Sequence, residues 1–376
     1  MKIVTIVGAR PQFIKAAPVS RAIKEHNRRG EKPHIVEVLV HTGQHYDNEM
    51  SAVFFRDLRI PEPYVNLGVG SGSHGWQTAQ MLMHIERVLT AQTPDLVLVY
   101  GDTNSTLAGA LASAKLQIPV AHIEAGLRSF NRRMPEEINR LLTDHVSTIL
   151  FCPTNKAVDN LSAEGVVSGF LNQSSQSPQG RRFVHLVGDV MLDAALYYKE
   201  FVKEMDFDLP GHFILSTIHR QENTDKPDQL VSIFGAFMKI SQEIPIVIPI
   251  HPRTRKKLKE FGITVSTPGL HLMEPVSYLE MCYLLEKCVL VMTDSGGLQK
   301  EAFFHGKPCI TLRDETEWVE LVDHGSNALA GTDENDIYEA FRRMRNRKIK
   351  CNLGLYGDGK ASERIVELLM NKESFS

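Results

Sequence analysis

The sequence predicts an α/β protein of two doubly wound, Rossmann-like domains with parallel sheets, and three observations carry that prediction. Short apolar, β-branched runs recur along the chain, most followed by a polar or glycine-containing turn and then a helix-length segment with apolar residues three and four apart. The pattern lapses once, in "VVSGFLNQSSQSPQGRR" at 166–182, and resumes near "GHFILSTIHR". Finally, 376 residues suffice for two cores of ordinary size.

Taken in order, the expected strands of the first half are "KIVTIV", "IVEVLV", "DLVLVY", "PVAHI" and "TILFC"; those of the second are "FILSTI", "IPIVIPI", "CVLVM" and "PCITL". Runs this continuously apolar belong in sheets covered by helices on both faces. The boundary is expected between about 168 and 210. The domains are read as 1–185 and 186–376, with the C-terminal helix packing back on the first domain and a cleft between the two.

Composition excludes several classes. No apolar stretch reaches the roughly 18 residues of a membrane span, and the start "MKIVTIVGARPQF" lacks the pattern of a signal peptide, so the chain reads as cytoplasmic. A net charge of −3 argues against a nucleic-acid surface, and "RRMRNRKIK" at 342–350 reads as a solvated helix face. The five cysteines, Cys152, Cys282, Cys288, Cys309 and Cys351, form no CxxC pair and suggest neither a disulfide framework nor structural zinc.

Open α/β sheets bind ligands beyond the carboxyl ends of their strands. After "KIVTIV" stand Arg10, Pro11 and Lys15; after "DLVLVYG", Asp102 with Thr103 and Asn104 as helix caps; after "PVAHI", Glu124 and Arg128. The segment "RRMPEEINR" adds Glu136, Glu137 and Arg140. "FILSTI" ends in His219 and Arg220, and "IPIVIPI" in His251 and Arg253. The run "TDSGGLQKEA" after "CVLVM" aims backbone N–H groups of a glycine turn and helix start outward, so Ser295, Gly296 and Gly297 are phosphate candidates. Any one of these residues reads equally as a helix cap or a satisfied structural group. Together they suit a phosphorylated substrate undergoing proton transfer. His41 and His45 have metal-ligand spacing but follow a strand into a glycine turn, so no metal is expected. Neither G-x-G-x-x-G nor a P-loop is present, which leaves a nucleotide-sugar enzyme with Glu301 on the ribose hydroxyls.

The motifs "GARPQFIK", "HTGQHYD", "VYGDTNSTLAGA", "HIEAGLRS", "MPEEINR", "HRQEN", "HPRT", "TDSGGLQKEA" and "RDETEW" occur in order from residue 8 to 318. Together they resemble the non-hydrolysing UDP-N-acetylglucosamine 2-epimerases, which have the GT-B fold. The resemblance implies interconversion of UDP-GlcNAc and UDP-ManNAc by anti elimination of UDP, through 2-acetamidoglucal, and re-addition. It implies Asp102, Glu124 and Glu136 as acid/base residues, and His219 as catalytic or near the leaving diphosphate. Arg10, Lys15, Arg140, Arg220, His251, Arg253, Ser295, Gly296, Gly297, Glu301 and Arg313 are implied in substrate binding. No cofactor or metal is implied, the partner is a UDP-sugar, and members are commonly homodimers. Some members are activated by substrate near the segment holding His41, Gln44 and His45.

The chain departs from the commonest pattern at Gln12, where many members carry a carboxylate, and at Trp318, where many carry an arginine. Those forms resemble a branch that includes the 2-epimerases of UDP-2,3-diacetamido-2,3-dideoxyglucuronate, used for O-antigens. A GT-B glycosyltransferase, a hydrolysing epimerase and a non-catalytic nucleotide-sugar sensor are the rival readings.

Overall fold

The computed structural model describes residues 1–44, 55, 58–170, 181–265, 267–351 and 353–371. They form two compact units: the first runs from Met1 to Leu196 and takes in the chain from Leu353 onward, and the second is Tyr197–Asn352.

The first unit holds the strands β1 (Lys2–Val7), β2 (Val36–His41), β3 (Val65–Asn66), β4 (Leu96–Tyr100), β5 (Val120–Ile123), β6 (Ile149–Cys152), β7 (Gly169–Phe170) and β8 (Arg181–Leu186). Their order in the sheet is β3-β2-β1-β4-β5-β6-β8-β7, parallel except for β7 against β8. Strand order reverses between β1 and β4, which is where such a sheet opens to a ligand. Val4, Ile6, Val97, Val99 and Val120 pack under Met81, Ile85 and Leu89 of the helix His74–Gln92.

The second unit is wholly parallel, in the order β11-β10-β9-β12-β13-β14, from β9 (Ile214–Thr217), β10 (Ile246–Pro249), β11 (Leu270–Met273), β12 (Leu290–Thr293), β13 (Cys309–Thr311) and β14 (Asn327–Leu329). One face carries Leu230, Phe234 and Phe237 of the helix Pro227–Ile240. Leu284 and Leu285 of the helix Tyr278–Lys287 cover the other. Its strand order reverses between β9 and β12.

All nine expected strands are present. The sequence reading missed β3, β7, β8, β11 and β14. These are very short, or polar and partly exposed like "RRFVHL" in β8 and "LHLM" in β11, so no long apolar run announces them. The irregular stretch at 166–182 therefore ends inside the first sheet: β8 pairs with β6, Phe183 opposite Ile149. The division falls at Leu196–Tyr197, later than the expected 185/186. A buried carboxylate accounts for the shift: Asp193 of the helix Val190–Lys199 accepts from Ala361 N (3.1 Å), Ser362 N (2.7 Å) and Ser362 Oγ (2.6 Å), capping the C-terminal helix Ala361–Met370 within the first unit. No helix among the described residues is long and apolar enough to cross a membrane.

Candidate active site

In the first unit the chemistry gathers where the strand order reverses. The chain leaves β4 through Gly101, at φ 63°, and leaves β5 through Glu124, a non-glycine residue at φ 75°. Lys15 reaches up from the helix Arg10–Arg28, its Nζ 2.5 Å from Glu124 Oε1, and both side chains are buried. A Cβ on residue 101 would lie 2.9 Å from Lys15 Nζ and 3.5 Å from Glu124 Oε1, and the positive φ itself favours glycine at this turn beside the ion pair.

Asp102 follows, its carboxylate gripped by Arg140 Nη2 at 2.6 Å and its backbone carbonyl bonded by Asn139 Nδ2 at 2.9 Å. Arg140, 2% exposed, also donates from Nη1 to Glu137 Oε2 at 2.7 Å. Its guanidinium thus holds Asp102 and Glu137 together. Glu136, one residue earlier on the helix Pro135–Val146, is half-buried, and Arg10 is half-buried at the start of its helix.

Two residues the sequence reading did not assign turn out to shape this region. Glu137 is buried and accepts from Ser129 N, Ser129 Oγ and Phe130 N, at 3.0, 3.1 and 2.9 Å, besides Arg140. Gln12 accepts from Gly8 N (2.8 Å) and Ala9 N (3.1 Å) through Oε1, and donates through Nε2 to the Tyr100 carbonyl (2.9 Å) and to Thr106 Oγ1 (2.9 Å). An ionised carboxylate at position 12 has no proton to give Tyr100, so the amide ties the first turn to the end of β4.

His45 lies outside the described residues. His41 is buried, accepts from Gly43 N at 3.0 Å, and rests edge-on against Phe13 with ring centroids 5.0 Å apart. Burial pushes its pKa down to about 4, which keeps the imidazole neutral as a turn cap. Gln44 accepts from Ser105 N and Oγ, at 3.2 and 2.7 Å. Among the described residues no group of three or more His, Cys, Asp or Glu is arranged to hold a metal ion.

In the second unit, Ser295 caps the helix Gly296–Phe304, its Oγ accepting from Leu298 N at 3.5 Å. A Cβ on Gly296 would lie 2.2 Å from Glu317 Oε1 and 3.5 Å from Trp318 Nε1. Arg313 donates to Glu317 Oε2 at 2.9 Å, and Arg220 Nη2 stands 3.9 Å from Oε1, so both expected arginines bracket one buried carboxylate beside the turn. The buried Trp318 packs there too, with Lys300 Nζ 3.9 Å from its ring centroid. The position that carries no cation of its own therefore has one over its aromatic face.

Glu301 is buried one helical turn into the helix. His219 is 42% exposed, its Nδ1 3.5 Å from Asp294 Oδ1. His251 caps the helix Pro252–Glu260, with its ring centroid 6.1 Å from that of His219. Arg253 is committed to Asp225, both oxygens lying 2.7 Å from Nη2. Asp294, absent from the expected set, is fully buried and accepts from His219 N (3.1 Å), Arg220 N (3.0 Å) and Asn223 Nδ2 (3.1 Å). The sequence signal for it was its place at a strand end directly before the glycine turn.

These strand-end carboxylates and this helix-terminal turn fit a sugar nucleotide, and a sequence model described as UDP-N-acetylglucosamine 2-epimerase matches residues 27–370. The chain belongs to the UDP-N-acetylglucosamine 2-epimerase family. A Pseudomonas aeruginosa protein of this family, named UDP-2,3-diacetamido-2,3-dideoxy-D-glucuronate 2-epimerase, is 51% identical over 98% of this chain and 99% of its own. The crystal structure of the Methanocaldococcus jannaschii UDP-GlcNAc 2-epimerase in complex with UDP-GlcNAc and UDP is 41% identical, with a TM-score of 0.88 over 98% of this chain and 99% of that one. The Neisseria meningitidis UDP-GlcNAc 2-epimerase bound to UDP-GlcNAc is 32% identical, at TM-score 0.84 over 98% and 99%. The α/β fold expected from the sequence, of GT-B type, is that of the 2-epimerase family, and the family's activity is that of an isomerase.

Gly296→Ala is expected to weaken UDP binding roughly tenfold, the scale of one hydrogen bond, because its methyl displaces Glu317 into the arginines. Titration calorimetry reads the change; an unaltered affinity would remove this turn from the diphosphate site.

Proposed function

We propose that the protein epimerises C2 of a UDP-activated 2-acetamido sugar without hydrolysing it, converting UDP-GlcNAc to UDP-ManNAc. The second unit takes the UDP: Ser295, Gly296 and Gly297 hold the diphosphate, His219 and Arg220 lie at it, and Glu301 accepts from the ribose. The first unit handles the proton. One carboxylate among Asp102, Glu124 and Glu136 removes the C2 hydrogen; the C–H electrons form the C1–C2 double bond as the C1–O bond breaks and UDP departs. A carboxylate on the other face then returns a proton to C2 while UDP re-adds at C1. The C2 hydrogen has no carbonyl beside it, so departure of the diphosphate must drive its loss, and N–H groups and cations at the diphosphate lower the barrier.

One observation carries this reading: Asp102 and Glu124 stand at neighbouring strand ends, each fixed by its own buried cation, Arg140 and Lys15. A binding module needs no such pair of oriented carboxylates. A second reading, UDP-2,3-diacetamido-2,3-dideoxyglucuronate as the substrate, is favoured by the name of the 51% identical relative. A cytoplasmic homodimer is the corresponding assembly, and light scattering checks its stoichiometry.

The test is proton NMR in D₂O with each UDP-sugar in turn. Loss of the C2–H signal with a manno product in the first tube is the expected result. Exchange in the second tube alone assigns the diacetamido uronate. Release of free sugar would mean a hydrolase, and binding without exchange a sensor.

A further inference from the structure

Beneath the turns bearing Asp102 and Glu124 lies a buried polar cluster to which nothing above gives a role. His122, in β5, is fully buried. Its Nδ1 is 2.7 Å from Asp144 Oδ1, and its Nε2 is 2.7 Å from the carbonyl oxygen of Gly101. Asp144, also fully buried, accepts through Oδ2 from Gly126 N at 3.1 Å and from Arg128 Nη1 at 2.7 Å. Arg128 clasps Glu164 through Nε and Nη2, at 2.7 Å each.

A carbonyl oxygen has no proton to give. The Asp144 carboxylate faces two further donors, Gly126 N and the Arg128 guanidinium, so it too only accepts. Two hydrogen bonds to two acceptors require a proton on each ring nitrogen. Charge agrees: within this hydrogen-bonded cluster Asp144 and Glu164 are balanced by Arg128 and a protonated His122. The other polar groups nearby do not alter this. The Cys152 thiol of β6 is pushed up by burial and by Asp144, Arg182 of β8 donates to the His145 carbonyl, and His145 Nε2 stands 3.8 Å from Glu164.

We propose that His122 is a positioning residue that donates from both ring nitrogens and so clamps the two acid/base turns together. One N–H fixes Gly101, next to Asp102; the other, through Asp144, fixes Gly126, two residues past Glu124. The clamp rests on the acid/base reading of those carboxylates. The second turn has particular need of it, since Glu124 is a non-glycine residue held at φ 75°. His122 carries no proton to substrate. Its effect is geometric, and a displacement of about 1 Å in such a site costs on the order of 10²-fold in rate.

The test uses the full protein with ¹⁵N-labelled histidine rings. At about pH 8 one histidine is expected to show protons on both ring nitrogens, a signal absent from His122→Gln. A singly protonated His122 in an active enzyme overturns the clamp and leaves the proposed function intact. A doubly protonated ring in a protein that exchanges no C2 hydrogen overturns the acid/base reading on which the clamp rests. In folded Asp144→Asn, kcat is expected to fall on the order of 10²-fold with KM unchanged within about twofold. Unchanged kcat overturns the positioning role, and the labelled wild-type spectrum decides the protonation state even if that variant does not fold.

Discussion

Replacing Glu124 with glutamine lowers kcat by about 10²–10⁴-fold, the range set by loss of a positioned acid or base, with UDP affinity nearly unchanged. Glutamine keeps the shape of the side chain at a constrained position, φ 75°, and removes its capacity to exchange a proton. It also strands Lys15, whose Nζ lies 2.5 Å from Glu124 Oε1 in a buried pair. Breaking a pair of this kind from one side costs about 3–5 kcal/mol, so the melting temperature should fall as well. The double variant Lys15→Met/Glu124→Gln separates the two effects: thermal stability returns and kcat does not. A double variant that regained near-normal turnover in the D₂O assay would sink Glu124 as an acid or base and leave it a structural ion-pair partner.

Asp294→Ala destabilises the second unit by roughly 3 kcal/mol, because the donors on His219, Arg220 and Asn223 lose a fully buried acceptor, at about 1–3 kcal/mol for each group left unsatisfied. UDP affinity falls with it, since the same carboxylate fixes the backbone of His219 and Arg220, two of the residues assigned to the diphosphate. Asp294→Asn should lie between, retaining an acceptor oxygen but losing the charge that strengthens these bonds. Denaturant melts and calorimetry on both variants check this. A destabilised but tightly UDP-binding Asp294→Ala would confine Asp294 to bracing the ends of β9 and β12.

The two residues expected to matter for these reasons were unequally legible. Glu124 is visible because a carboxylate directly follows an apolar strand, where α/β sheets take their ligands. Asp294 has the same position, yet the serine and glycines after it drew the reading, and only the folded chain brings three donors to its oxygens. Arg140 and Arg253 show the opposite side of this. Sequence gives a cation near a strand end but not its partner, and both guanidiniums turn out to be held by protein carboxylates, Asp102 with Glu137 and Asp225. His122 opens the motif "HIEAGLRS", but nothing local gives it a role until Gly101 and Asp144 close on it from other parts of the chain.

By itself the sequence determined nine of the strands, the two sheets and which polar residues stand at their ends, because periodicity and turn residues are local properties that survive without coordinates. The tertiary structure alone decided which charges neutralise which, and that β8 extends the first sheet past the irregular stretch. The physical reason is the same in each case. Ion pairs, edge-strand pairing and a helix cap such as Asp193 on Ala361 and Ser362 depend on residues far apart in the chain, so no local pattern encodes them.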